Sequence, residues 1–398
     1  MKPSSGHEDA LLLVAAHPIA SPERAQRIAA LLARDLQWPR VVADAERHGV
    51  AAVLDHHLAA LGEGRVPPAA RDALARAARR CVAWNLLLRR ELARLLDALD
   101  RASLAAMPLK GPVLADALYP DPLLRYTTDL DVLVREAEAA PAEEALRGLG
   151  YRRLPESEQG TGYHTCFVSD RGEAADAVIV ELHCELGERH VSRPDTRAIW
   201  ASASPGAWQG QPIWGMALAD LVIYLCFHAA KDGLGSLRAL LDLALLVERN
   251  RDAIAWEDVV IRARAAHLSA PVHLALGESR ALLGASVPDA VLAGLRPRRL
   301  RRRLGRMLFR WRGGVLHAPE ELLVGPVMAV LMMLWDDAPG ATRRHLRRNL
   351  LPSASLRDRW TQTGPSASWM RWYPVWLWRV ARAGGRQVAV RARGIRCW

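Results

Sequence analysis

Asp129 and Asp131 stand one leucine apart in the run LLRYTTDLDVLV (123–134). A strand sends residues i and i+2 to one face, so the two carboxylates point together while Leu130 and Val132 turn to the other side. Two carboxylates roughly 6–7 Å apart, two strand rises, repel each other and lose hydration beside an apolar core unless a cation joins them. Hard oxygen donors of this kind suit magnesium, which keeps several waters and takes one or two carboxylates plus substrate phosphates.

A third acid strengthens that chemistry. In VIVELHCEL (178–186) the alternation sets Ile179, Glu181 and His183 on one face. If that strand pairs beside the first, Glu181 reaches the same position. Three acids from two strands suit a two-metal site, one ion activating an attacking oxygen and one holding nucleotide phosphates. Magnesium is the expected ion, with manganese as the alternative. Upstream, Gly111 follows Lys110 just ahead of a helix, where a bare backbone and a helix start favour a phosphate. Arg125, four residues before the first aspartate, is expected to contact phosphate or to cap the site. His183 is a candidate substrate-side or metal-side group, or else a structural histidine held by hydrogen bonds.

These residues need a scaffold. Residues 8–100 space apolar side chains three and four apart with charges between, which predicts helices. The pattern changes at MPLKGPVLADALYPDPLLRYTTDLDVLV: a short apolar approach, a Lys-Gly-Pro turn, a helix, a Pro-rich loop and a strand. A helix over 136–148, then GYRRL, YHTCFVSD and DAVIVELHCEL, continue the alternation. From Met216 the reading is helical again. The alternation predicts an α/β or α+β core of roughly 100 residues between N-terminal and C-terminal helical domains. The expected divisions are 1–100, 101–212, 213–295 and 296–398.

The combination LKG, helix, YPDPLLRYTTDLDVLV and ELH resembles the nucleotidyltransferase superfamily that includes DNA polymerase beta. It is most similar to a bacterial branch described as uncharacterised nucleotidyltransferases, over about residues 30–250. The resemblance implies an α+β fold with a small mixed sheet, and a transfer of NMP from an NTP, ATP being the expected one, to an acceptor with release of pyrophosphate. It implies metal-binding roles for Asp129, Asp131 and Glu181. Lys110 and Gly111 stand where most members carry a Gly-Ser turn against the triphosphate, a departure from the pattern. In LCFHAAKDGLGSLRALLDL, a continuous helix puts His228, Lys231, Arg238 and Asp242 within about an 80° arc. His228 and Lys231 are then nucleotide-side candidates and Asp242 a substrate-side one. Asp232 stands where the family often has a second histidine. The rival reading is a scaffold of the same fold that binds nucleotide, RNA or peptide without chemistry.

The net charge of +11 is uneven. Residues 296–398 hold 22 arginines against five acids, so the first 295 residues are acidic overall. A basic end keeps a nucleic-acid acceptor open beside the favoured small molecule or peptide. Within it, SWMRWYPVWLWRVAR (368–382) mixes tryptophan with arginine, as core-packing or interfacial helices do. Five scattered cysteines without a C-x-x-C pair argue for reduced thiols and a cytoplasmic setting. Glu8 and Asp9 precede the first apolar patch, against a signal peptide. The longest apolar run, 322–335, is too short to span a bilayer, so no transmembrane segment is expected and a buried helix is. The pair His56-His57 lacks acids at ligand spacing and reads as structural.

Overall fold

The computed structural model describes residues 6–61, 64–155, 163–169, 177–188, 191–319 and 326–350. Five helices come first: α1 (His7–Ala15), α2 (Pro22–Leu32), α3 (Trp38–Arg47), α4 (Ala51–Leu61) and α5 (Pro68–Arg101). The first apolar patch is the buried side of α1, with Leu11, Leu12 and Ala15 packed against Ile28, Val41 and Leu54. Ser21 caps α2 by accepting from the Arg24 amide, with Pro22 at the first helical position.

Helix α5 belongs to two layers. Its first half, through Ala70, Leu74 and Ala77, packs with the N-terminal helices. Its second half, through Leu88, Leu92, Leu95 and Leu99, packs on the sheet. The division expected at residue 100 therefore follows a helix that joins both parts.

The sheet is built from β1 (Met107–Pro108), β2 (Leu130–Leu133), β3 (Tyr151–Arg153), β4 (His164–Ser169) and β5 (Ile179–His183), in the order β1-β2-β5-β4-β3. Helix α6 (Pro112–Leu118) follows β1, and α7 (Ala139–Gly148) separates β2 from β3. Only β2 and β5 run parallel; the other pairs are antiparallel, which makes the sheet mixed. The expected α+β architecture is present. Every residue of β2 is buried, and alternation sorts them. Leu130 and Val132 join Val180, Leu182 and Phe167 beneath α5 and α7. Leu133 turns to the opposite core, with Tyr224 and Phe227 of α9 (Leu218–Lys231). The acids share that second face.

Between the sheet and α9 lie α8 (Thr196–Ser202) and a hairpin of β6 (Ser204–Trp208) and β7 (Gln211–Gly215). Gln209 and Gly210 both have positive φ, 50° and 81°, the backbone of a tight two-residue turn. Strand β7 crosses the division expected at 212.

After α9 the chain continues as α10 (Leu237–Arg249), α11 (Trp256–Ala265), α12 (Ser269–Leu283), α13 (Asp289–Gly294), α14 (Arg299–Trp311), α15 (Pro326–Trp335) and α16 (Ala341–Leu350). The expected buried helix near 322–335 is α15, with Met328, Leu331 and Trp335 in the core. No helix among the described residues is long and apolar enough to cross a membrane. No disulfide joins the described cysteines. Cys397 and the Trp-Arg segment 368–382 lie outside the described residues.

Candidate active site

Parallel pairing of β2 on β5 aligns Asp131 with Glu181 and Leu133 with His183. Asp129 immediately precedes β2 on the Asp131 side. One carboxylate oxygen from each of Asp129, Asp131 and Glu181 lies within 4.8 Å of the others, and all three residues are buried. The convergence expected from strand alternation is therefore present in the geometry.

The three acids have different environments. Burial raises the Asp129 carboxyl above its ordinary range, and the neighbouring Asp131 charge adds to that. Burial pushes Glu181 up to about 7, against an opposing hydrogen bond from His183. Burial acts on Asp131 as well, but the Lys110 ammonium and the His183 ring outweigh it and hold Asp131 well below the usual range. Lys110 Nζ lies 3.1 Å from Asp131 Oδ2. His183 Nε2 lies 3.2 Å from Asp131 Oδ1 and 3.4 Å from Glu181 Oε2, bridging the two acids.

A second layer of charge surrounds this cluster. Lys110 Nζ also donates to His228 Nε2 at 2.7 Å, and His228 Nδ1 reaches Asp232 Oδ2 at 3.1 Å. Burial keeps the His228 ring neutral, its pKa pushed down to about 4, so Nε2 accepts from Lys110 while Nδ1–H donates to Asp232. Lys231 donates to the Tyr163 hydroxyl at 2.6 Å and lies 4.0 Å from Asp232. Two of the three lysines in the chain thus meet here. A small cleft between them is lined by Asp131, Tyr163, His183, Tyr224, His228 and Lys231.

Gly111 forms the turn that brings Lys110 in. Its φ of +69° and ψ of −138° are strained for any residue with a Cβ. That backbone, rather than crowding, calls for glycine, since an added Cβ would meet nothing closer than 3.6 Å.

Two expected site residues are placed otherwise. Arg125 is buried with its donors engaged: Nε and Nη2 bind the two oxygens of Asp242 at 3.0 and 2.8 Å, and Nη1 donates to Thr127 Oγ1 at 3.0 Å. Asp242 also accepts from the Tyr119 hydroxyl at 2.9 Å. The expected nucleotide contact of Arg125 and substrate contact of Asp242 give way to a buried pair. It ties the loop before β2 to α10, and Asn85 of α5 holds the same loop by donating to the Arg125 carbonyl at 2.9 Å. The continuous helix behind the arc is also corrected. Helix α9 ends at Lys231, and Gly233 and Leu234 follow with positive φ of 72° and 53°. His228 and Lys231 therefore stand on one helix, Arg238 and Asp242 on the next.

His164 was not foreseen. It opens β4 opposite His183 and faces Glu181, with Nε2 3.7 Å from Glu181 Oε2. Its signal is faint: one histidine at the head of a strand-like run, whose face is set by pairing with β5. Tyr163 was equally silent, and Asp232 was marked only by standing where the family often has a second histidine.

A divalent cation fits this donor set. Glu181 Oε1 is buried without a hydrogen-bond partner, and Asp131 Oδ2 has only the Lys110 ion pair, without hydrogen-bond geometry. Buried oxygens left in this way are costly unless a cation takes them. Hard carboxylate donors from three residues match magnesium or manganese.

Comparison with curated proteins returns no match. Among solved structures, the antibiotic-resistance factor ANT(2'')-Ia is 13% identical with a TM-score of 0.33, over 46% of this chain and 91% of that one. An antigenic nucleotidyltransferase-like protein from Paracoccidioides brasiliensis is 14% identical with a TM-score of 0.31, over 52% of this chain and 96% of that one. Neither likeness is close enough to bear on the chemistry. A family model described as uncharacterised nucleotidyltransferase matches residues 34–284, more than half of the chain, and the protein belongs to that family.

Proposed function

We propose that this chain moves a nucleoside monophosphate from an NTP, with ATP the simplest choice, to an acceptor and releases pyrophosphate. One observation carries the reading: the register of β2 on β5 sets Glu181 beside Asp131, with Asp129 on the same face. Asp129, Asp131 and Glu181 would hold magnesium or manganese. A cation bound there supplies charge neutralisation at the phosphates and lowers the pKa of a bound attacking group.

The chain's own groups divide the remaining work. Glu181, ionised once a cation is bound beside it, is the acid proposed to accept the acceptor's proton. Lys110 lies against Asp131; with that carboxylate neutralised, its ammonium turns to the triphosphate. The Gly111 turn brings backbone close to the same place. Lys231, held charged by Asp232 and Tyr163 despite its burial, stands on the phosphate side with His228.

The acceptor is proposed to meet the basic C-terminal part. There a cleft of about 660 Å³ is lined by Arg296, Arg301, Arg302, Arg306 and Arg310 with Trp335. A half-open cleft of this size, whose arginines outnumber the acids Glu278 and Asp289 in its lining, suits a small anionic molecule or an acidic peptide better than a long nucleic acid. The test is to incubate the full chain with NTP labelled at the α-phosphate, magnesium, and separate small-molecule, peptide and RNA acceptors. The reading expects label on one acceptor class and an equal amount of pyrophosphate. Transfer of the γ-phosphate instead would overturn it.

A further inference from the structure

Glu181 faces a second set of donors besides the two aspartates. His164 and His183 are cross-strand partners on β4 and β5, with ring centroids 5.0 Å apart. One donor atom each from His164, Glu181 and His183 lies within 4.8 Å of the other two. The three residues are only 8%, 2% and 4% exposed. His164 Nδ1, His183 Nδ1 and Glu181 Oε1 are all buried without a hydrogen-bond partner. The residues meet through His164 Nε2, His183 Nε2 and Glu181 Oε2, and each still keeps one further buried polar atom without a partner, an expensive arrangement that structures keep where a ligand reorganises it.

We propose that His164, Glu181 and His183 form a site for a divalent transition-metal ion of zinc's class, distinct in its donors from the carboxylate cluster. Two imidazoles and one carboxylate suit zinc and its neighbours, whereas magnesium prefers oxygen alone. Tetrahedral bonds of about 2.0–2.2 Å place ligand atoms roughly 3.4 Å apart, so modest side-chain rotations close this set around an ion. Three protein ligands leave a fourth position open to water or substrate. Glu181 belongs to both sets, so an ion held by the histidines draws it away from Asp129 and Asp131. That consequence rests on the aspartates being ion ligands; the histidine site itself does not.

The test uses the full-length chain and zinc alone, by calorimetry in excess magnesium and by zinc K-edge X-ray absorption. The expected result is one tightly held zinc per chain whose spectrum carries scattering from two imidazoles. His164→Asn and His183→Asn should each weaken zinc by more than the roughly 10–100-fold that losing a mere hydrogen-bond partner of a ligand costs. Asp129→Asn, which weakens the magnesium site that competes for Glu181, should not weaken zinc. Should a histidine variant fail to fold, the wild-type spectrum still decides, because two imidazoles support the site and an oxygen-only shell overturns it. Zinc binding that survives both histidine substitutions, or that vanishes with Asp129→Asn, also overturns it. None of these readouts requires nucleotidyl transfer, so failure of the activity leaves the inference standing on its own data.

Discussion

Asp131 and Glu181 are lateral partners on adjacent parallel strands, and a single imidazole, His183, bridges their carboxylates at 3.2 and 3.4 Å. Without a metal ion, the Lys110 ammonium supplies positive charge at this cluster, and the two acids raise the His183 ring above its ordinary range against its burial. The two aspartates of the motif are unequal, because Asp131 contacts both partners directly, whereas Asp129 feels Lys110 only through space and has a hydrogen bond from Thr128.

That inequality separates their asparagine variants. Asp129→Asn removes a charge whose burial and whose Asp131 neighbour both disfavour it, so the metal-free protein should gain stability. Asp131→Asn leaves Lys110 and His183 without their buried partner and should cost about 3 kcal/mol. Urea unfolding of both variants in EDTA checks the order. Equal effects, or a gain for Asp131→Asn, would contradict it.

The Arg125–Asp242 pair should act on stability more than on ligand affinity. Breaking it by Arg125→Met or Asp242→Asn alone leaves a buried polar partner behind and should cost about 3–5 kcal/mol. Combining Arg125→Met with Asp242→Leu should recover a large part of that loss. A double-mutant cycle by denaturant unfolding measures the coupling. Purely additive losses would show that the pair does not hold the loop.

Glu181 sets a pH dependence in the metal-free chain. Its pKa is raised by burial from 4.5 to about 7, so the folded state keeps a proton that the unfolded chain gives up sooner. The contribution is fully present below about pH 4.5 and is lost as pH rises through about 7. Magnesium needs the ionised acid, so its effect on Tm should grow between about pH 6 and pH 8. A magnesium effect that is flat across this window speaks against Glu181 as a ligand.

A buried histidine outside this cluster contributes to the acid limb. His48 links the N-terminal helices to α10: Nδ1 accepts from the Leu237 amide at 3.3 Å, and Nε2 donates to the Leu316 carbonyl at 3.3 Å. Burial pushes its pKa down from 6.5 to about 4. Its neutral form is the stable one, so its contribution is present above about 6.5 and lost as pH falls through 4. His48→Gln should lower stability at neutral pH and flatten the fall between those values. An unchanged slope would assign the acid limb to other groups.

The legible part of this fold was the local part. Period-two alternation assigned Asp129, Asp131, Glu181 and His183 to faces, because the side-chain period of a strand follows from its backbone. Which strands are neighbours was not written there, and Glu181 and His164 acquire their meaning only from the pairings of β5. Arg125 and Asp242 were misassigned for the same reason: 117 residues separate them, and nothing local shows that two opposite charges will meet in the core. The break after Lys231 had a visible cause in Gly233, but its effect on the arc depended on where the next helix began. The hairpin turn at Gln209-Gly210 carried a signal that could have been read, since a glycine between two strand-like runs favours positive φ.

The central claim is that Asp129, Asp131 and Glu181 hold a divalent cation which in turn holds an NTP. Calorimetric titration of the full chain with non-hydrolysable analogues of the four NTPs, in magnesium and in EDTA, tests it most directly. Wild type should bind at least one analogue in magnesium. Affinity should fall by about 100-fold or more, roughly 2.7 kcal/mol, in EDTA and in folded Asp129→Asn and Glu181→Gln variants. Nucleotide binding of equal strength with and without magnesium, unchanged by both substitutions, would contradict the account.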